Sequence, residues 1–231
     1  MTVPDDFDAQ VSGVAALAEP ARRALYMYVG AQPDAVSRDD AAEGVGVPRH
    51  TAKFHLDKLV REGLLTTEFR RLGGRRGPGA GRPSKLYRRS DTQLSVSLPD
   101  RTYQLAGQLM AKAIDASQRT GAPVVEALHR AAADFGTALG DRERPAATTT
   151  PVDVRVLTCR VLAGQGYEPR AEGQQITLRN CPFHALAQDH TELVCGMNLV
   201  LVGSLTERLD PRLAPRLSPA GDRCCVVIDV Q

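Results

Sequence analysis

At 231 residues the chain can hold one large domain or two modest ones, with ample length for a buried core. A hydrophobic content of 42% and a charged content of 24% are those of an ordinary globular protein, and no apolar run approaches the roughly 20 residues that span a bilayer. The net charge of +2 conceals an uneven distribution, because residues 69–89 carry eight basic side chains and no acidic one, leaving the remainder net acidic. Such a block reads as an electrostatic footprint for nucleic acid. The stretch MTVPDDFDAQ is acidic and lacks the basic start and apolar core of a signal peptide, so a cytoplasmic protein without membrane contact is expected.

Residues 11–29 place Val14, Leu17, Ala21, Leu25 and Tyr28 at helical spacing, and Gly30 and Pro33 end that helix. Ser37 is a good N-cap, followed by Asp39 and Asp40 where a helix dipole favours acids. This second helix stops at residues 44–46. Pro48 then opens a third helix that runs to about Glu62, with Gly63 as its stop. Two short helices joined through a glycine-containing turn, after a preceding helix, predict a helix-turn-helix. Residues 64–71 read as a strand and 85–88 as its return, and GGRRGPGAGRPS between them is a long hairpin tip, a wing.

Residues 98–139 read as two Ala- and Leu-rich helices broken at Gly121, Ala122 and Pro123. They carry no chemical constellation and are expected to supply core or dimer contacts. Residues 141–151 read as a linker. A helix over 152–163, strands near 167–170 and 175–179, a Cys/His loop, a helix over 191–208 and a last strand over 225–230 complete the chain. The fold class is therefore α+β: a winged helix-turn-helix domain at 1–95, a helical linker or dimerisation region at 96–145, and a cysteine-containing sensor domain at 146–231.

In PRHTAKFHLDKLVREGLL, Ala52, Leu56, Leu59 and Val60 share an apolar face, while Arg49, His50, Thr51, Lys53 and Phe54 lie at the N-terminal end or on the opposite face. A recognition helix needs that split, an apolar face to fix it and donors near its N-terminus to enter the major groove. Arg49 suits a guanine edge, and Thr51 and Lys53 suit phosphate. Arg75, Arg76, Arg82 and Lys85 of the wing would reach a minor groove or neutralise backbone charge. The turn VGVPRHTAKFHLDKLVREGLL and the closing GRPSKLY resemble the winged-helix regulators of the ArsR and DeoR-like type over residues 11–92, which implies binding to double-stranded operator DNA.

All five cysteines, Cys159, Cys181, Cys195, Cys224 and Cys225, fall in the last third of the chain. In a reducing compartment such clustering argues for metal, cluster or redox chemistry over a disulfide framework. NCPFHALAQDHTELVCGMN sets Cys181, His184, His190 and Cys195 in one short stretch, a donor density that suits zinc or an iron–sulfur centre. Cys159, within VRVLTCRVL, reads as a small buried hydrophobe. If Cys224 and Cys225 occupy a strand, their side chains alternate and only one of them joins a site on a given face.

Behind a winged helix, this cysteine domain resembles that of the SufR-type iron–sulfur regulators. The shared features are Cys181-Pro182-Phe183, His190, Cys195, and Cys224 or Cys225 after Gly221-Asp222. The resemblance implies a [4Fe–4S] cluster held by three cysteines in a homodimeric repressor; no motif identifies the fourth ligand, for which His184, His190, Asp189 and an exogenous group are open. The competing readings are a zinc- or thiol-redox-responsive regulator and a small-molecule-responsive regulator with structural cysteines. An enzyme using Cys181 and His184 as nucleophile and base finds no supporting oxyanion, phosphate-loop or paired-acid motif, so no catalytic residue is expected.

Overall fold

A computed structural model describes residues 5–71, 83–144 and 153–231. The chain divides into two units, Met1–Val96 and Ser97–Gln231.

The first unit opens with α1 (Asp5–Ala16) and α2 (Pro20–Ala31), where the sequence predicts one continuous helix. The break is local chemistry. Glu19 turns its carboxylate back onto the backbone N–H groups of Ala21 and Arg22, at 3.2 and 2.6 Å, and Pro20 takes the first helical position. The expected cap at Ser37 is reciprocal: its hydroxyl accepts from the Asp40 N–H, and the Asp40 carboxylate accepts from the Ser37 N–H at 3.3 Å. That box opens α3 (Arg38–Val45), which Gly46 closes at φ 73°, a left-handed conformation natural to glycine. Pro48 then leads into α4 (Arg49–Arg61).

β2 (Leu65–Arg70) and β3 (Ser84–Arg89) form the wing's antiparallel strands, and β1 (Val36–Ser37) pairs with the far side of β3. β1 is too short to leave a periodic trace in the sequence. Leu25, Ala41, Ala52, Leu56, Leu59, Leu65 and Tyr87 form the buried core beneath this frame. The expected wing tip, with Arg75, Arg76 and Arg82, lies outside the described residues.

The second unit contains α5 (Tyr103–Thr120), α6 (Val124–Glu143), α7 (Val154–Ala163), β4 (Pro169–Glu172), β5 (Gln175–Leu178), α8 (His184–Asp189), α9 (Thr191–Leu209), β6 (Leu213–Leu217) and β7 (Val226–Val230). The four strands form an antiparallel sheet in the order β4-β5-β7-β6. α9 is apolar around much of its circumference and packs against both α6 and the sheet, burying Val194, Met197, Leu201 and Leu205. α6 approaches α9 closely at Gly136, where a Cβ would run into the Leu201 carbonyl oxygen.

Three expectations change. The helices of 96–145 are not a region apart, because α5 and α6 share one core with the cysteine-bearing elements. β6, an edge strand carrying Pro215, and the short α8 had no counterpart in the sequence reading. The last strand begins at Val226, so Cys224 and Cys225 precede it and strand alternation does not govern which way they point.

Candidate functional site

α4 buries Ala52, Leu56 and Leu59, and leaves Arg49, His50, Lys53 and Phe54 exposed with Thr51 half-buried. Phe54 is 61% exposed, with its ring edge-to-face against His55 at 5.2 Å. His55 is buried beneath the helix, 3.4 Å from the Glu19 carboxylate and accepting from Arg22 Nε at 3.4 Å. The apolar-inward, basic-outward split expected of a recognition helix is present.

The basic groups are held by acids that the sequence reading did not assign to this task. Arg49 grips Asp39 with two nitrogens, Nε donating to Oδ1 at 2.7 Å and a second nitrogen to Oδ2. The hydrogen bond from Arg49, then that from Arg38, hold the Asp39 carboxyl below its usual range. Because both partners are well exposed, this pair is weak and opens at little cost.

Asp57 is the more consequential group. It accepts from Lys53 Nζ at 3.1 Å, Lys85 Nζ at 2.7 Å and the Tyr87 hydroxyl at 3.0 Å, so one carboxylate ties α4 to β3. Partial burial pushes its pKa up, but the hydrogen bonds from Lys85, Lys53 and Tyr87 outweigh that and bring it to about 2. Lys85 also lies over the Tyr87 ring, 5.1 Å from its centroid, as expected of residues two apart on one strand face. The i,i+4 spacing of Lys53 and Asp57 was the only trace of this junction in the sequence.

In the second unit the cysteines divide. Cys159 sits on α7, half-buried against the core, with burial raising its thiol pKa. The other four lie near one another: Cys181 beside Cys224, Cys224 beside Cys225, and Cys225 beside Cys195. Cys181 ends the stretch after β5, Cys195 lies on α9, and Cys224 and Cys225 immediately precede β7, so three separate segments deliver them. Both members of the Cys224-Cys225 pair therefore lie near other thiols.

Cys181 is raised far above the thiol range, first by the neighbouring Cys224 thiol and then by burial. At Cys224 the Cys181 contact pulls down, but Cys225 and burial push up, leaving it at about 11. Burial likewise raises Cys195. His184 and His190 lie exposed at the two ends of α8.

Buried polar side chains surround the thiols. The Tyr167 hydroxyl donates to Asn198 Oδ1, and the Asn198 amide donates to Cys224 Sγ at 3.3 Å. Asn180, beside Cys181, donates to the carbonyls of Asp100 at 2.8 Å and Gly166 at 2.6 Å. Arg101 donates to Asn180 Oδ1 and, at 3.3 Å, to the Cys181 carbonyl, and the Thr102 N–H donates to the Pro182 carbonyl at 3.1 Å. Residues 100–102, just past the start of the second unit, are thus stitched to the Cys181 loop. Arg101 and Asn198 gave no sequence signal, being distant in the chain from the cysteines they serve.

In donor type and number, four thiols suit a soft metal ion or an iron–sulfur centre. Among the described residues, however, no group of three or more His, Cys, Asp or Glu side chains is arranged around a common metal position. Ligation would require the thiols to rearrange and lose their protons.

A family described as a helix-turn-helix domain matches residues 17–68, from the end of α1 through most of β2. Residues 17–68 are a helix-turn-helix domain. With the exposed basic face of α4 and the paired strands β2 and β3, this supports a winged-helix, DNA-binding transcriptional regulator. No curated protein sequence matches the chain. Among the described residues no helix is long and apolar enough to cross a membrane.

Proposed function

We propose that the protein is a homodimeric transcriptional repressor whose affinity for operator DNA is set by a [4Fe–4S] centre on Cys181, Cys195 and one of Cys224 and Cys225. The observation that carries this reading is the meeting of four thiols from three segments in the unit that follows the helix-turn-helix. When bound, such a centre supplies an oxidant-labile group whose presence tracks iron–sulfur supply and oxidative stress.

The chain's own part is mechanical. Thiolate ligation would fix the position of Cys181, whose loop is held through Asn180 and Pro182 to Asp100, Arg101 and Thr102. Releasing Cys181 would loosen that anchor at the segment leading from the DNA-binding unit. In a dimer reading half-sites ~34 Å apart, a small change in the spacing of two recognition helices is enough to alter affinity. Exposed Ile114, Val124 and Val125 on α5 and α6 provide apolar surface for two copies to meet.

A thiol-redox switch without metal is a second reading, since the same four thiols lie near one another. Zinc remains the principal alternative occupant, since it suits the same donors.

Anaerobic purification and reconstitution, with iron, sulfide and zinc quantified, tests the assignment. Iron and acid-labile sulfide should appear in equal amounts and be lost in Cys181→Ser and Cys195→Ser. A colourless protein that takes up neither after reconstitution would remove the iron–sulfur reading, and zinc alone would select the alternative.

A further inference from the structure

Cys224 is contacted from the core side by a buried polar pair that packing does not explain. Asn198 and Tyr167 are 1% and 3% exposed, within a core of Leu162, Leu178, Met197 and Val226. Burying an amide and a phenol there costs free energy that Leu and Phe would not incur, so such a pair is expected only where its hydrogen bonds have a use. Their arrangement is directional. The phenolic O–H has Asn198 Oδ1 as its acceptor, which leaves the amide NH₂ pointing at sulfur, 3.3 Å from Cys224 Sγ. A ligating thiolate has no proton and can only accept, so the amide must present its NH₂ to the sulfur, which is the orientation seen.

We infer that Asn198, braced by Tyr167, is a positioning residue for Cys224, donating a hydrogen bond that stabilises the electron-rich sulfur when it ligates a metal centre. The inference rests on the proposed thiolate-held centre, and it selects Cys224 over Cys225 as the cysteine of the terminal pair with a built partner. An N–H donor on a ligating sulfur offsets negative charge, so it favours the reduced form of an iron–sulfur centre and strengthens binding of a single divalent ion. Removing it should lower the reduction potential or weaken the metal, without touching any ligand.

The test uses full-length wild type, Asn198→Leu and Tyr167→Phe, each reconstituted anaerobically with ferrous iron and sulfide and, in parallel, titrated with zinc against a chromophoric chelator. Both variants should shift the midpoint potential of the iron–sulfur form downward, Asn198→Leu further than Tyr167→Phe. Zinc affinity should fall about 10–100-fold in Asn198→Leu, the usual cost of losing such an outer partner. Tyr167→Phe preserves shape, so it decides the matter if Asn198→Leu fails to fold. A wild type that loads, with variants of unchanged potential and unchanged zinc affinity, overturns the inference alone. A wild type that takes only zinc, with weakened variants, keeps the inference and overturns the iron–sulfur reading. A wild type that takes neither overturns both.

Discussion

At the scale of single residues, the basic groups of the recognition helix are managed by acids. Asp39 holds Arg49 in an exposed, bidentate pair, and Asp57 gathers Lys53, Lys85 and Tyr87. An unpaired cluster of lysines would bind any phosphate backbone. Lysines oriented by a carboxylate would instead present their charge in one geometry. Asp57 titrates at about 2 when folded, against 3.8 as its reference, so its contribution is full above about pH 4 and is lost as pH falls through 2. That shift corresponds to at most about 2 kcal/mol, less with screening of a partly exposed group. Urea unfolding of Asp57→Asn at several pH values between 7 and 3 should therefore show a deficit of that order which shrinks at the acid end. A deficit that stays constant with pH would mean that Asp57 acts through shape and not through charge.

At the scale of elements, much was legible from end signals. Ser37, Gly46, Pro48 and Gly63 marked α3 and α4 because capping is local chemistry, written within a few residues of where it acts. The break between α1 and α2 was missed because Glu19 and Pro20 sit inside an apolar pattern that continues through them. β1 and β6 were missed because two residues, or five including Pro215, do not establish a period, and pairing partners far along the chain make them strands. The cysteines were legible as a set, but the order in which they neighbour one another was not, since it depends on α9 and the start of β7 meeting across the core. The sequence pointed α6 to a core or dimer role, but did not reveal that the core it joins is the one shared with the cysteine-bearing elements. Gly136 permits the approach of α6 to the α9 backbone, so Gly136→Ala should destabilise the second unit by about 1–3 kcal/mol, read as a loss of melting temperature. An unchanged melting temperature would mean that the two helices are free to separate there.

At the scale of the whole molecule, two units divide the work: one carries the helix-turn-helix and its basic face, the other the thiols. Regulation requires only that one state of the second unit favour DNA binding by the first, and coupling of about 1–3 kcal/mol is the usual scale. In the proposed function, the anchoring of residues 100–102 on the Cys181 loop is where such coupling would begin. The most direct measurement is a fluorescence-anisotropy titration of DNA from upstream of the protein's own gene, at fixed salt, with protein reconstituted with the proposed metal centre and with the same preparation after chelation. The account predicts saturable, sequence-specific binding whose affinity differs at least about 5-fold between the two states. Equal affinities in both states would contradict control by the cysteine unit, and no specific binding in either would contradict the DNA-binding function itself.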